Sequence, residues 1–77
     1  MDVEHAIRAA IEQTIDDSQA EVRCASPGHF EITVRARAFD GKRLLEKQRM
    51  VLGAIKHLMA GDAAPVHAVD RIVTLTE

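Results

Sequence analysis

The sequence predicts an α+β domain in which three strands form one sheet and the helices pack on a single face of it. Apolar residues recur at helical spacing over residues 3–15 and 43–60, whereas they alternate with polar residues over 20–25 and 30–38. A last segment rich in β-branched residues, 66–75, is typical of a third strand. The order helix, strand, strand, helix, helix, strand allows one sheet to bury every apolar stripe at once.

Length and composition indicate a folded chain with one core. The chain has 77 residues, of which 47% are hydrophobic and 29% charged, so we expect a single domain over 1–77 and no long disordered segment. Its one cysteine cannot form an internal disulfide, and no window approaches the roughly 20 apolar residues of a membrane span. The first residues carry acidic groups and lack an apolar leader, which favours a soluble cytoplasmic protein without a membrane partner.

The first half of the chain reads as a helix followed by a hairpin. The helix places Val3, Ala6, Ile7, Ala10, Ile11 and Ile15 on one side and ends at Asp16-Asp17-Ser18. In the first strand Ala20, Val22 and Cys24 share the apolar face. Because a buried free cysteine usually behaves as a small hydrophobic residue, we interpret Cys24 as a core residue rather than a reactive one.

The hairpin turn and the second strand have the clearest local signals. Ser26-Pro27-Gly28-His29 predicts a tight turn, since proline presets the backbone and glycine tolerates the positive φ that follows it. The second strand then runs over 30–38 and is interrupted at Asp40-Gly41. Its predicted apolar face contains Phe30, Ile32, Val34, Ala36 and Ala38.

The second half is predicted to contain two helices and one strand. The apolar positions over 43–60 are Leu44, Leu45, Val51, Leu52, Ile55, Leu58 and Met59. Gly53 interrupts this pattern, and glycine is unfavourable inside a helix, so we expect a break there between two shorter helices. Gly61 provides a helix stop and Asp62-Ala63-Ala64-Pro65 a connector to the third strand.

Charge is unevenly distributed along the chain. Seven of the ten basic residues lie within 35–56 against two acidic ones, so this stretch carries +5 while the remainder carries −7 in a chain of net charge −2. Such a segment favours an anionic or acidic partner; the alternative is a solvated helix face whose charges keep the protein soluble. The basic residues that we assign to nucleic-acid or partner binding are Arg43, Lys47, Arg49 and Lys56.

Three sequence blocks together resemble the signatures of the BolA-like protein family. They are GHFEITV at 28–34, AFDGKRLLEKQRMV at 38–51 and VHAV at 66–69, and the resemblance extends over about residues 3–75. The run Lys47-Gln48-Arg49 is more similar to the KKQ-type branch than to the founding branch, in which R-H-R is usual.

The resemblance implies a fold and a set of partners. It implies an αββααβ order with a three-stranded mixed sheet, related to the class II KH domain, a monothiol glutaredoxin as partner and a 2Fe-2S cluster ligated jointly with it. It also implies a role in iron homeostasis or cluster trafficking, and DNA-binding transcriptional regulation linked to the stress response as an alternative. Whether the free protein forms a weak homodimer stays open.

His67 and His29 are the candidate cluster ligands. His67 matches the histidine of the family's H-A motif, and the resemblance implies that it is a ligand, although a lone histidine at a strand start is more often a hydrogen-bonded structural residue. His29 matches the histidine of the family's HF pair, and the alternative for it is a strand-end histidine paired with a carboxylate. Many family members carry the second ligand on a longer hairpin loop, which is here reduced to Pro27-Gly28.

Sequence motifs of catalysis are absent from the chain. There is no Ser-His-Asp arrangement, no pair of catalytic carboxylates and no phosphate-binding glycine loop. The segment Gly53-Ala54-Ile55-Lys56 lacks the second glycine of the GxxG loop with which KH domains hold single strands. With only two aromatic residues, both phenylalanine, base stacking is also disfavoured, so we expect a binding protein and not an enzyme.

Overall fold

The computed structural model describes residues 2–76. Along this part of the chain the elements are α1 (Val3–Thr14), β1 (Gln19–Ser26), β2 (His29–Arg35), a 3₁₀ turn (Arg37–Phe39), α2 (Leu44–Ala54), α3 (Lys56–Met59) and β3 (Ala68–Leu75). The predicted element order is therefore confirmed. No helix within residues 2–76 is both long enough and apolar enough to cross a membrane.

The three strands form one mixed sheet in the order β1-β2-β3. The two-residue turn Pro27-Gly28 joins β1 to β2 as an antiparallel hairpin, and the connection through α2 and α3 returns the chain so that β3 runs parallel to β2. Residues of β2 alternate between the helix-covered face, where Phe30, Ile32 and Val34 are buried, and an open polar face. The predicted mixed three-stranded sheet is thus confirmed.

Helix α1 is fixed both by its apolar side and by two carboxylates. Asp2 caps the helix by accepting a hydrogen bond from the His5 N–H, and Ile7 and Ile11 are fully buried against the sheet. Glu12 accepts from the Ala20 N–H at 3.0 Å, and Glu4 accepts from the Cys24 N–H at 3.1 Å. Because Ala20 and Cys24 lie in an edge strand, the helix caps part of that edge.

The second strand ends earlier than predicted. It stops at Arg35, and the Ala36 N–H still donates to the Leu75 carbonyl before the 3₁₀ turn begins. The turn changes the phase of the chain, which exposes Ala38 and buries Phe39 completely. The assignment of Ala38 to the apolar face was therefore wrong, and Phe39 replaces it in the core.

Cys24 is exposed, so its assignment to the core was wrong. It pairs with Phe30 in the sheet register, which places both residues on the same face as the sequence predicts. However, Cys24 lies beside the first turn of α1, where its N–H donates to Glu4. The helix does not bury the residue there, and Cys24 stays exposed at the edge of the sheet. Its thiol donates to the Ser26 carbonyl at 3.2 Å.

The helical region 43–60 also departs from the prediction in detail. Two helices form as expected, but α2 continues through Gly53 and the break falls at Ile55, whose N–H donates to the Leu52 carbonyl. Leu44, Leu45 and Leu52 are exposed, so the sheet does not bury the whole apolar set of this region. The third strand begins at Ala68, two residues later than predicted.

Candidate partner and metal-binding site

The site around His67 is built by the connector that leads into β3. Val66 is buried, and its N–H donates to the Leu58 carbonyl at 3.2 Å, which anchors the connector to α3. The next two N–H groups, of His67 and Ala68, both donate to the carbonyl of Gly28, at 2.9 and 3.0 Å. The backbone of His67 is therefore fixed to the hairpin turn, whereas the residue itself is exposed.

Gly28 is required at this position for two physical reasons. Its φ of +79° lies in the region that residues with a side chain rarely adopt. In addition, a Cβ atom at this position would lie 2.9 Å from Cγ and 3.1 Å from Nδ1 of His67. The imidazole ring thus packs directly on the glycine backbone, which limits the positions that the ring can take.

His29 follows Gly28 and is held by a carboxylate. Its Nδ1 lies 3.1 Å from Oδ1 of Asp70, and both side chains are 44% exposed. The register shifts between Phe30 and Glu31, which leaves Asp70 outside the ladder and turns it toward His29, a common effect of bulges. We name Gly28, His29, His67 and Asp70 the histidine corner.

The histidine corner can supply part of a metal shell. Within residues 2–76, no three histidine, cysteine, aspartate or glutamate side chains are grouped so that they could hold an ion. Cys24, near the same hairpin, therefore does not complete a site with the two histidines. A metal centre at this corner needs ligands from a second molecule.

The four basic residues predicted to bind a partner do not lie on one face. Arg43 is the N-cap of α2 and precedes Lys47 by four residues, whereas Arg49 follows Lys47 by two residues. At about 100° per residue, Lys47 and Arg49 project from nearly opposite sides of the helix. Arg43, Arg49 and Lys56 are exposed, and Lys47 is half-buried.

Sequence reasoning missed two features of the site. Gly28 was expected as a turn residue, but its contact with the His67 ring depends on the register of a strand almost forty residues away. A neighbouring carboxylate is the alternative that the sequence leaves open for His29, and only the bulge selects Asp70 as that partner. The contact between Gly28 and His67 could be predicted from a sequence in which a turn glycine and a histidine are expected to lie opposite each other on neighbouring strands.

Comparison with known proteins places this geometry in a family. The model of the BolA-like protein family matches residues 4–77. BolA-like protein 1 of Mus musculus is 36% identical over 75 residues, covering 86% of this chain and 53% of that protein. The chain thus spans about half the length of the curated relatives that it matches.

Solved structures agree with the family match. A bolA protein homologue from Coxiella burnetii superposes with a TM-score of 0.72 at 28% identity, over 97% of this chain and 92% of that one. BolA1 protein from Mus musculus superposes with a TM-score of 0.71 at 32% identity, over 96% and 66% of the two chains. On its sequence and its fold, this chain belongs to the BolA-like protein family.

Proposed function

We propose that this chain is an adaptor that binds a monothiol glutaredoxin and contributes His67 to a 2Fe-2S cluster shared by the two proteins, in iron homeostasis or cluster trafficking. The observation that carries the proposal is the placement of His67, which is exposed at the end of the sheet while its backbone and ring are fixed against Gly28. A ligand that a partner must reach needs both properties, because a fixed imidazole loses little freedom on binding.

The residues of the histidine corner fit a shared centre. His67 offers an imidazole ligand, and the corner alone is too poor in ligands to hold an ion, so the remaining ligands would come from the partner. Imidazole replaces thiolate in some 2Fe-2S centres, where it raises the reduction potential. When bound, the cluster would supply one-electron redox chemistry.

His29 is the second ligand that we propose on this chain. Metal-ligating histidines usually donate their other ring N–H to a carboxylate, which orients the ring. The contact of Nδ1 of His29 with Asp70 provides this arrangement and leaves Nε2 for a metal. The same contact would also satisfy a histidine with no metal role, so the two readings are separated by substitution of Asp70.

Reconstitution of the cluster with a purified monothiol glutaredoxin tests the proposal. We expect His67→Ala to change the visible absorption and circular dichroism of the mixed cluster, whereas His57→Ala, which removes an exposed helical histidine elsewhere, leaves both unchanged. Asp70→Asn should weaken cluster retention if His29 is a ligand. Spectra of His67→Ala that match the wild type would rule out the ligand assignment.

A second candidate function is DNA binding through the basic region 42–56. The exposed side chains of Arg43, Arg49 and Lys56 favour it. Binding by phosphate contacts weakens steeply with salt, with a log-log slope of about −0.9 for each duplex phosphate contacted. A titration with a DNA duplex that shows no dependence on salt would exclude this function.

A further inference from the structure

Helix α2 carries an apolar surface that faces away from the core. Leu44 is 61% exposed, Leu45 57% and Leu52 37%. The core contacts of the helix are instead made by Val51 and Ala54, which are buried. An 11-residue helix with leucines on its solvent side exposes apolar area that a partner can cover.

Four residues of this surface share one side of the helix. Leu45, Arg49, Leu52 and Gly53 stand at i, i+4, i+7 and i+8, the spacing with which a helix presents one face, and all four are exposed. We name them the α2 stripe. At about 100° per residue, Leu44 lies a quarter turn or more from the centre of the stripe.

Gly53 has no role that the fold explains. Its φ is not positive, and a Cβ atom there would meet nothing within 4 Å. Glycine is among the least favourable residues in a helix, so an alanine would suit the isolated chain better. A glycine on an exposed helix face permits another backbone to approach closely, which gives the residue a purpose when a partner is bound.

We propose that the α2 stripe docks an acidic amphipathic helix of the partner protein. Leu45 and Leu52 would contact its apolar side, Arg49 between them would pair with a carboxylate, and Gly53 would allow the two helices to approach closely. The stretch that contains the stripe carries +5, and the one carboxylate of α2, Glu46, already accepts from the Arg43 N–H at 3.3 Å. The inference rests on the proposed function, because it takes the partner to be the monothiol glutaredoxin proposed above.

Other occupants fit the stripe less well. Arg49 lies midway between the two leucines of the stripe. In a two-fold contact between copies of this chain it would therefore face Arg49 of the second copy, and the two positive charges would repel each other. Nucleic acid offers phosphates to arginine but little to two leucines, and the phenylalanines that could stack on bases are buried. A lipid surface would require burial of Arg49 among the leucines.

The test measures binding of a cluster-loaded monothiol glutaredoxin by fluorescence anisotropy. We expect Leu45→Gln combined with Leu52→Gln to raise the Kd at least tenfold. Arg49→Glu should raise it similarly and reduce its dependence on salt. Gly53→Ala should raise the Kd while it raises the Tm of the free chain, a pair of opposite effects that general loss of structure would not produce.

Two matched variants serve as controls. Leu44→Gln removes an equally exposed leucine outside the stripe and should not alter the Kd. Lys42→Glu makes the same change of charge before the helix begins, so it should raise the Kd much less than Arg49→Glu does. Wild-type affinity in the stripe variants, or equal losses in the two controls, would overturn the proposal. The proposal would also be overturned if the stripe substitutions left glutaredoxin binding intact but abolished self-association, binding of a DNA duplex or binding to anionic vesicles.

The two proposals can fail separately. Stripe variants that bind normally, with a cluster that still depends on His67, overturn only the docking surface. Weakened binding in the stripe variants, with a cluster unaffected by His67→Ala, overturns only the ligand assignment. A glutaredoxin that does not bind the wild-type chain overturns both.

Discussion

At the scale of single residues, the site depends on the absence of one side chain. The Cβ atom of any other residue at position 28 would lie only 2.9 Å from Cγ of His67. The same position requires a positive φ, so conformation and packing both select glycine. No hydrogen bond from residues 2–76 reaches either ring nitrogen of His67, and the ring is positioned by this packing contact.

Gly28→Ala should destabilise the protein by about 2 kcal/mol, because the left-handed backbone is costly for alanine and the new Cβ overlaps the His67 ring. Denaturant unfolding measures this loss. Gly41→Ala is the matched control, since Gly41 also has a positive φ of 75° but its Cβ would meet nothing within 4 Å. If both variants lose the same free energy of unfolding, the contact with the His67 ring contributes nothing. A larger loss in Gly28→Ala than in Gly41→Ala measures the contribution of that contact.

At the scale of elements, the contact between α1 and β1 is electrostatic as well as apolar. The hydrogen bond from the Ala20 N–H lowers the pKa of Glu12 below its ordinary value of 4.5, and Arg8 at 3.4 Å adds to this effect. A carboxyl group whose pKa is lower in the folded state stabilises the fold when ionised. Its contribution is complete above pH 4.5 and is lost as the pH falls through the folded pKa.

Glu12→Gln should therefore lower the free energy of unfolding at pH 7, by less than about 1 kcal/mol because the carboxylate is partly exposed. The difference from the wild type should shrink as the pH falls below 4.5. Urea unfolding at a series of pH values measures it. Glu21→Gln, a change on the open face of the sheet, is the control; a difference that is constant with pH would contradict the assignment.

Helix α2 offers a prediction of the opposite sign. Gly53→Ala should stabilise the free protein by about 0.5 to 1 kcal/mol, because alanine is the better helix former and its Cβ meets open space. Thermal unfolding detects the change as a higher Tm. A lower Tm would mean that Gly53 has a packing role within the fold.

At the scale of the whole molecule, periodicity was sufficient for the element order but not for burial. Alternation placed Cys24 on the face of Phe30, yet whether that face is covered depends on where α1 lies, and no local pattern contains that information. Phe39 was missed because a short 3₁₀ turn shifted the phase of the chain. Leu45 and Leu52 follow helical spacing as core residues do, but the core takes its contacts from Val51 and Ala54.

The register of the sheet, likewise, could not be predicted from the sequence. The pairing of His29 with Ala68 brings Gly28 beside His67, and the bulge at Asp70 then turns its carboxylate to His29. Both are consequences of how β3 docks after the connector. The candidate ligands could be named from the family resemblance, whereas their supports could be found only in three dimensions.

The β1 edge of the sheet is protected by two carboxylates of α1, which leads to a prediction about association. Glu4 and Glu12 are eight residues apart on α1, about 12 Å along the helix. They accept hydrogen bonds from the N–H groups of Cys24 and Ala20, which are four residues apart on β1, about 13 Å along the strand. Because the two spacings match, one straight helix can cap two N–H groups of the β1 edge. Such capping blocks the addition of another strand.

Replacing both carboxylates, Glu4→Ala with Glu12→Ala, should open this edge. We expect the amide hydrogens of Ala20 and Cys24 to exchange at least tenfold faster by NMR, and the chain to associate at high concentration by sedimentation velocity. Glu4 also favours the first turn of α1 and Glu12 pairs with Arg8, so an unchanged helix signal in far-ultraviolet circular dichroism is required to separate both effects from fraying of α1. Glu21→Ala controls for the loss of an exposed carboxylate that bonds no edge N–H, and unchanged exchange at Ala20 in the double variant would show that the carboxylates do not protect the edge.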